Sequence, residues 1–496
     1  MEKGKAMPPG NRPPEGKLRA SCPARAAEVI TAGGKGTGKT YTLPRICIGA
    51  DASGSGKTTL TCALLRALKN RSLDPAVFKC GPDYIDPLFH REVAGVYSSN
   101  LDLYFFDEPT VKYLLRENSR DRDIAVIEGV MGYYDGLSGT VTDASTYHLA
   151  SVTETPVILV EDCGGASLTV AARIRGLAEF RGQNFIRAVI LNGITEKFYR
   201  ELAPAIENET GLAVLGYLPR MKDCAIENRH LGLVTAAEIG DLEDKICRLS
   251  EQLEKTADVR GILRLANSAP PLALAERCPA EDAAPGQRSI RVGVALDRAF
   301  CFYYEDSLNL LRKLGGEILF FSPLEDARLP EGIQGLYPGG GYPELYGERL
   351  EKNTAMREDI RRAVGSGIPC IAECGGFMYL HQALIDGEGN RHAMAGVLPG
   401  ICRKQPGLVR FGYAAYTAKN DTLLCAAGET IRGHEFHYWD SDFPGEDFLA
   451  AKPVSGKTWP CIKAGENLFA GFPHFHFYNN PAMAKRFLAR CEAYGG

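Results

Sequence analysis

Residues 33–60 read GGKGTGKTYTLPRICIGADASGSGKTTL and contain two candidate phosphate-binding loops, GGKGTGKT (33–40) and GADASGSGKT (49–58). The first fits the pattern G-x-x-x-x-G-K-[ST] at every position. The second carries Asp51 where the pattern has its first Gly. A phosphate loop works through its context. Its backbone N–H groups and the positive end of the following helix hold the phosphates, so it must join a strand to a helix. GGKGTGKT is followed by YTLPRI, where Tyr41 and Thr42 are poor helix formers and Pro44 would break the first turns. GADASGSGKT is preceded by the apolar RICI and followed by TTLTCALLRALK, whose Leu60, Leu64, Leu65 and Leu68 form one helical stripe. The imperfect match is therefore the expected phosphate loop. Gly54 and Gly56 give the backbone room at the phosphates, Lys57 supplies charge, Thr58 supplies a hydroxyl for Mg²⁺, and Thr59 follows it in the same turn. Lys39 is expected to be dispensable.

Working outward from this loop, short β-branched runs alternate with helical stretches from Arg45 to about Leu265: RICIGA, AVFK, IAVIEG, PVILVED, IRAVILNGI and LAVLGYLP are the strands. This alternation predicts a parallel, doubly wound α/β sheet. Residues 1–44 are rich in Pro, Gly, Lys and Arg and nearly free of apolar periodicity, so a disordered extension is expected there. Residues 266–288 are rich in Ala and Pro and read as a linker. A second α/β pattern fills 289–496, opening with SIRVGVALD and passing through EILFFSPL, GLYPGGGYPELY, IPCIAECGGFMYL, HEFHYWD and LFAGFPHFHF.

The 496-residue length suits two or three domains. A net charge of −4 points to neither nucleic acid nor an anionic membrane surface as partner. No apolar run reaches the length of a membrane span, and the N-terminus has no apolar signal core. The 15 Cys are scattered and include no C-x-x-C pair, which predicts reduced thiols in a cytoplasmic protein.

KCGPDYIDPLFH (79–90) and EGVMGYYDG (128–136) follow the second and third of these strands. Ligands bind at the C-terminal ends of parallel strands, so Asp83, Asp86, Glu128 and Asp135 are expected in the crevice that holds Lys57. Carboxylates beside a phosphate loop suit Mg²⁺, with Thr58, Asp86 and Glu128 as expected ligands. Any one of these acids could instead cap its own loop by an Asx turn.

The phosphate loop, KCGPDYIDPLFH and VIEGVMGYYDG together resemble the cobyrinic acid a,c-diamide synthase family: dethiobiotin-synthetase-like amidoligases fused to a glutaminase. The likeness covers nearly the whole chain after Arg45. It implies ATP- and glutamine-dependent conversion of two corrin carboxylates of cobyrinate to amides, by way of an acyl phosphate. It also implies that Asp83, Tyr84, Ile85, Asp86, Glu128 and Asp135 line the nucleotide, Mg²⁺ and substrate site. Asn192 resembles the position that contacts adenine, though Asn also favours helix caps. The resemblance leaves a homodimer open. Hydrogenobyrinate or nickel-sirohydrochlorin would use the same residues, and the N-terminal half alone would also fit a partitioning-type ATPase switch.

In IPCIAECGGFMYL, Cys374 falls at a turn between a strand and a helix, the placement of an exposed nucleophile whose thiolate the helix N-terminus favours. His474 and His476 in GFPHFHF are candidate bases. Gly340, Gly341 and Gly375 can supply oxyanion N–H groups. These features resemble a class I glutamine amidotransferase of the cobyric-acid type, which implies His474 as the base. His476 stands where an orienting acid is common, so a Cys–His dyad is expected. Pro473, directly before the base, is expected to cost a strand hydrogen bond. His434 and His437 in GHEFHYWD are a competing pair, read as structural or substrate-side.

Overall fold

The computed structural model describes residues 27–30, 39–95, 98–224, 242–275 and 289–495. In chain order the first strands are β1 (Ala27–Ile30), β2 (Lys39–Thr42), β3 (Arg45–Ala50), β4 (Pro75–Cys80), β5 (Ser98–Leu101), β6 (Ile124–Glu128), β7 (Val157–Asp162), β8 (Ile186–Asn192) and β9 (Ala213–Leu218). Seven of them form one sheet in the order β5-β4-β6-β3-β7-β8-β9, with every pairing parallel. β3, at the centre, is buried at every residue because helices cover both faces of such a sheet. Arg45 begins this strand with no exposed surface. Its guanidinium donates to Thr153 O at 2.8 Å and Leu43 O at 3.1 Å, which ties the central strand to the turn before β7.

Two expectations for the ends of this domain change. Within the stretch 1–44, expected to be disordered, β1 and β2 form an antiparallel hairpin, and β10 (Leu272–Ala273) adds a third strand. β10 lies inside the segment 266–288 expected to be a linker. Tyr41 and Leu43 are buried, and Tyr41 Oη donates to Ser119 O. Tyr41 therefore packs as a strand residue, an outcome hidden by the Gly- and Lys-rich letters before it. Lys39 and Thr40 of the perfect phosphate-loop match belong to this hairpin, with no helix after them. Residues 1–26, 31–38 and 276–288 lie outside the described residues.

The C-terminal half contains β11 (Ile290–Ala295), β12 (Gly316–Phe321), β13 (Gly335–Tyr337) and β14 (Cys370–Glu373). Its main sheet has the order β12-β11-β13-β14, continued by 468–471 in parallel and 463–464 in antiparallel fashion. HEFHYWD does not join this sheet. Residues 430–437 pair with 410–418 and 474–475 in a separate five-stranded antiparallel sheet. One apolar core runs from Tyr104 and Phe105 of the first half to Tyr304, Tyr416 and Phe475 of the second. No helix among the described residues is long and apolar enough to cross a membrane.

Tyr41→Ala should destabilise the protein by about 3 kcal/mol, the cost of truncating a buried aromatic, as read from urea unfolding. Lys39→Ala should leave ATP-dependent turnover within about twofold of wild type, as expected when the loop 49–58 holds the phosphates.

Candidate active site

The loop Asp51–Gly56 joins β3 to helix α1 (Lys57–Asn70). Gly54 and Gly56 adopt φ of +82° and +102°, and a Cβ on Gly56 would meet Asn192 Nδ2 at 2.3 Å. Asp51, the departure from the pattern, closes the loop by accepting from Ser55 Oγ at 2.7 Å. Asn192, at the end of β8, donates from Nδ2 to Ser55 O at 2.9 Å and so braces the loop. Lys57 Nζ donates to Ala52 O at 2.9 Å and to Met131 O at 2.6 Å. Met131 sits at φ +45°, an uncommon conformation for a side-chain-bearing residue. Burial, and then the charge of Lys79, lower the Lys57 ammonium to about 8.

Of the four acids expected in this crevice, two converge on Thr58. Its Oγ1–H donates to Glu128 Oε1 at 2.6 Å, and Oγ1 lies 3.3 Å from Asp86 Oδ1. The other two cap their own loops. Asp83 Oδ1 accepts from Ile85 N at 2.9 Å, and Asp135 Oδ2 accepts from Gly132 N at 2.9 Å. Ile85 opens helix α2 (Ile85–Ala94) and packs toward the core.

Between Asp86 and Glu128 lies Lys79, a residue that sequence reasoning passed over as the end of a strand. Its Nζ contacts Asp86 Oδ2 and lies 3.1 Å from Glu128 Oε1. Lys79 is buried, yet the two carboxylates outweigh that burial and hold its ammonium well above the ordinary lysine range. Glu128 is also met by His90 Nε2 at 2.7 Å, while His90 Nδ1 meets Ser98 Oγ. Burial pushes the Glu128 carboxyl up, but Lys79 and the His90 and Thr58 hydrogen bonds hold it well below the carboxylate range. Asp86 is displaced the other way, upward, by burial and then by Glu128. Period-2 alternation was the available signal: Lys79 lies two residues from Val77 in a fully buried strand.

In the C-terminal half, Cys374 caps the short helix Gly375–Leu380 at φ +46°, ψ −100°, a strained elbow directly after β14. Its N–H donates to Gly471 O at 2.8 Å, so Cys374 and His474 stand at the ends of adjacent parallel strands. The Gly375 N–H at the helix start lowers the thiol, as expected of a helix N-terminus, but burial outweighs it. The thiol is buried, and burial followed by the charge of Glu344 pushes it far up. A six-residue helix does not offset that. Gly340 and Gly341 run alongside: a Cβ on Gly340 would meet His474 Cε1 at 2.4 Å, and one on Gly375 would meet Gly341 N at 2.9 Å. Pro473 costs no strand hydrogen bond, because it turns the corner between 468–471 and 474–475. His437 is a structural residue, bonded through Nε2 to Glu435 and stacked on Phe472 at 4.0 Å. His434 stands opposite His474 in register.

The two halves of the chain meet at the loop after β4. Tyr84, from the loop after β4, stacks on Tyr304 at 4.4 Å and Phe302 at 5.1 Å, with its ring 5.1 Å from that of His474. Tyr304 Oη donates to Pro82 O at 2.9 Å. Asn100 on β5, a strand the sequence pattern missed, holds the loop from below through Gly81 O and Asp83 O, both at 2.8 Å.

Residues 46–234 match the family model of the CobQ/CobB/MinD/ParA nucleotide binding domain, and residues 291–482 match that of the CobB/CobQ-like glutamine amidotransferase domain. A curated cobyrinate a,c-diamide synthase from Caldanaerobacter subterraneus subsp. tengcongensis is 38% identical over 446 residues, which is 89% of this chain and 97% of that protein. One from Listeria innocua is 39% identical over 449 residues, 89% of this chain and 98% of that protein.

Lys79→Met should leave Asp86 and Glu128 buried without their counter-charge. The variant should lose about 3–5 kcal/mol of stability at neutral pH. Urea midpoints at matched pH measure this, and an unchanged midpoint would show that the carboxylates do not depend on Lys79.

Proposed function

The chain belongs to the cobyrinate a,c-diamide synthase family, and from that membership we propose that it amidates the a and c side-chain carboxylates of cobyrinate at the expense of ATP and glutamine. Its N-terminal domain, 45–265, is the synthetase, and its C-terminal domain, 289–496, is the glutaminase. The observation that carries this assignment is the loop Gly81–Asp86. It presses Tyr84 against His474 and, two residues later, presents Asp86 to Thr58 and Glu128. A synthetase that takes its ammonia from a second site needs a path between its two centres, and this loop lies where the two halves meet.

A carboxylate is a poor electrophile. Transfer of the ATP γ-phosphoryl group to it gives an acyl phosphate, and ammonia then displaces phosphate. Gly54, Gly56, Lys57, Thr58 and Thr59 cradle the triphosphate, with Asn192 beside the loop facing the base. Thr58, Asp86 and Glu128 form an all-oxygen set that suits Mg²⁺ and would hold it. Bound there, Mg²⁺ neutralises charge on the phosphates. Lys57 steadies the transferring group, and Lys79 keeps the two carboxylates in place. Asp83, Tyr84, Ile85 and Asp135 shape the substrate side. In the glutaminase, His474 takes the proton from Cys374 Sγ, and the N–H groups of Gly340, Gly341 and Gly375 face the developing oxyanion. The thirteen free cysteines among the described residues support a reducing, cytoplasmic setting.

The deciding assay supplies ATP, Mg²⁺ and glutamine with cobyrinate, and in parallel arms hydrogenobyrinate or nickel-sirohydrochlorin. Mass spectrometry should record two successive exchanges of a hydroxyl for an amino group on cobyrinate. Exchange on another tetrapyrrole alone would reassign the substrate, and none on any would overturn the reaction. Cys374→Ala should lower glutamine-dependent turnover by about 10³-fold or more while ammonia still serves, and Lys57→Ala should lower both routes by about 10²-fold.

A further inference from the structure

The proposed glutaminase centre leaves one chemical need unmet. The Cys374 thiol is buried and pushed up, so Sγ must lose its proton to a base before it can attack. A histidine base needs its far nitrogen held, because that bond fixes the tautomer and stabilises the imidazolium. His476, in the place where an acid is common, does not fill this role. Its ring packs against Phe106 and Tyr304, and burial lowers it to about 3, so it carries no charge at neutral pH. Glu435 is already engaged by His437 Nε2 and Tyr416 Oη, both at 2.8 Å.

We propose that Glu373, the residue immediately before the nucleophile, positions His474 by accepting the Nδ1–H. Glu373 takes this role only if Cys374 and His474 are the glutaminase pair proposed above. Its Oε2 lies 3.7 Å from His474 Nδ1, and both side chains are buried. Nδ1 has no hydrogen-bond partner, an exposed need in a buried group. Glu373 Oε1 accepts from Phe475 N at 3.3 Å, which anchors the carboxylate beside the base. The separation exceeds a hydrogen bond by roughly 0.5 Å, the looseness common in catalytic contacts before substrate arrives. Consecutive residues on a regular strand point to opposite faces. The positive φ at Cys374 breaks that alternation and frees the chain to put the acid and the nucleophile in one centre.

The titratable groups facing the pair are Tyr84 from the loop after β4, Tyr303 and Tyr304 after β11, Tyr337 on β13, His434 and Cys374. Glu373 is the one carboxylate within ion-pair distance of His474 among the described residues. During acylation the Sγ proton passes to His474 Nε2 and the C–S bond forms. The glutamine C–N bond then breaks, and Nε2 returns the proton to the departing ammonia. Burial raises the Glu373 carboxyl, and its contacts with His474, Phe475 N and Tyr337 oppose that; the proton taken from Sγ stays on the imidazole and does not pass to Glu373. Water then hydrolyses the thioester to glutamate.

The test compares wild type, Cys374→Ala, Glu373→Gln and Glu373→Asp in the full chain, measuring glutamate release, ammonia-dependent amidation and the pH profile of kcat/KM for glutamine. Glu373→Gln should lose roughly 10²-fold in glutamine kcat. Its acid limb should move down by about one pH unit, because loss of the carboxylate makes the imidazolium less stable. Glu373→Asp should recover part of the rate and return the limb toward its wild-type position. Ammonia-dependent amidation in the same preparations reports that the protein is folded. An unshifted limb, or a glutamine rate within twofold of wild type, overturns the role of Glu373 when Cys374→Ala is dead with glutamine. If Cys374→Ala still releases glutamate, the glutaminase pair itself is misassigned. Should Glu373→Gln prove insoluble, ¹⁵N NMR of wild type decides, with His474 identified by a His474→Asn difference: Nδ1 protonated supports the role, and Nδ1 bare overturns it.

Discussion

The loop Gly81–Asp86 has to fit both halves of the molecule at once, and much of the structure is arranged around that constraint. It leaves the C-terminal end of β4, where a parallel sheet offers its ligand site. The second sheet brings the ends of β11 and of 468–471 to the same place. Tyr304 fixes Pro82 through its hydroxyl, Asn100 fixes Gly81 and Asp83, and the Tyr84 ring fills the space between Phe302, Tyr304 and His474. Further bonds cross between the halves: Tyr413 Oη to Asp102 at 2.7 Å, Asn118 to Asp306 at 2.9 Å and Arg432 to Tyr104 O at 2.9 Å. Domains joined by small polar interfaces move freely. Here the apolar core is continuous across the junction, so the two centres are held in one frame.

Most of the fold was legible because its strands are central. A strand buried on both faces reads as an unbroken apolar run, and RICIGA, IAVIEG and PVILVED do so. The exceptions lie at edges. Ser98–Leu101 is polar, and it forms the edge strand β5 because its backbone pairs with β4 while Asn100 serves the neighbouring loop. The pairing of β1 with β2 was hidden by the Gly- and Lys-rich sequence between them, and β10 by the prolines before it. Neither segment has an apolar period, since each contributes single residues such as Tyr41 and Leu272 to the core.

Within the site, residue types were legible and partnerships were not. The letters placed four acids near Lys57, but spacing along a loop cannot tell an acid that turns back on its own backbone from one that faces a neighbour. Asp83 and Asp135 turned back, and Asp86 and Glu128 did not. Glu373 was hidden for a different reason. It stands beside Cys374 in sequence, where strand alternation would send it to the opposite face, and only the elbow geometry brings it toward His474.

The two buried lysines are compensated in opposite ways, which fits the roles proposed for them. Lys79 faces two carboxylates, and their attraction outweighs its burial. Lys57 faces backbone carbonyls of Ala52 and Met131, with Lys79 nearby as a like charge, and its ammonium is lowered to about 8. A cation held only by neutral dipoles in a buried site is poorly compensated, and an arriving anion gains most where compensation is poorest. Were Lys57 paired as Lys79 is, a triphosphate would first have to displace a carboxylate. Lys79 takes up Asp86 and Glu128, while the hydrogen bonds of Lys57 go to Ala52 O and Met131 O, so that Glu128, Asp86 and Asp51 act on its ammonium only through space.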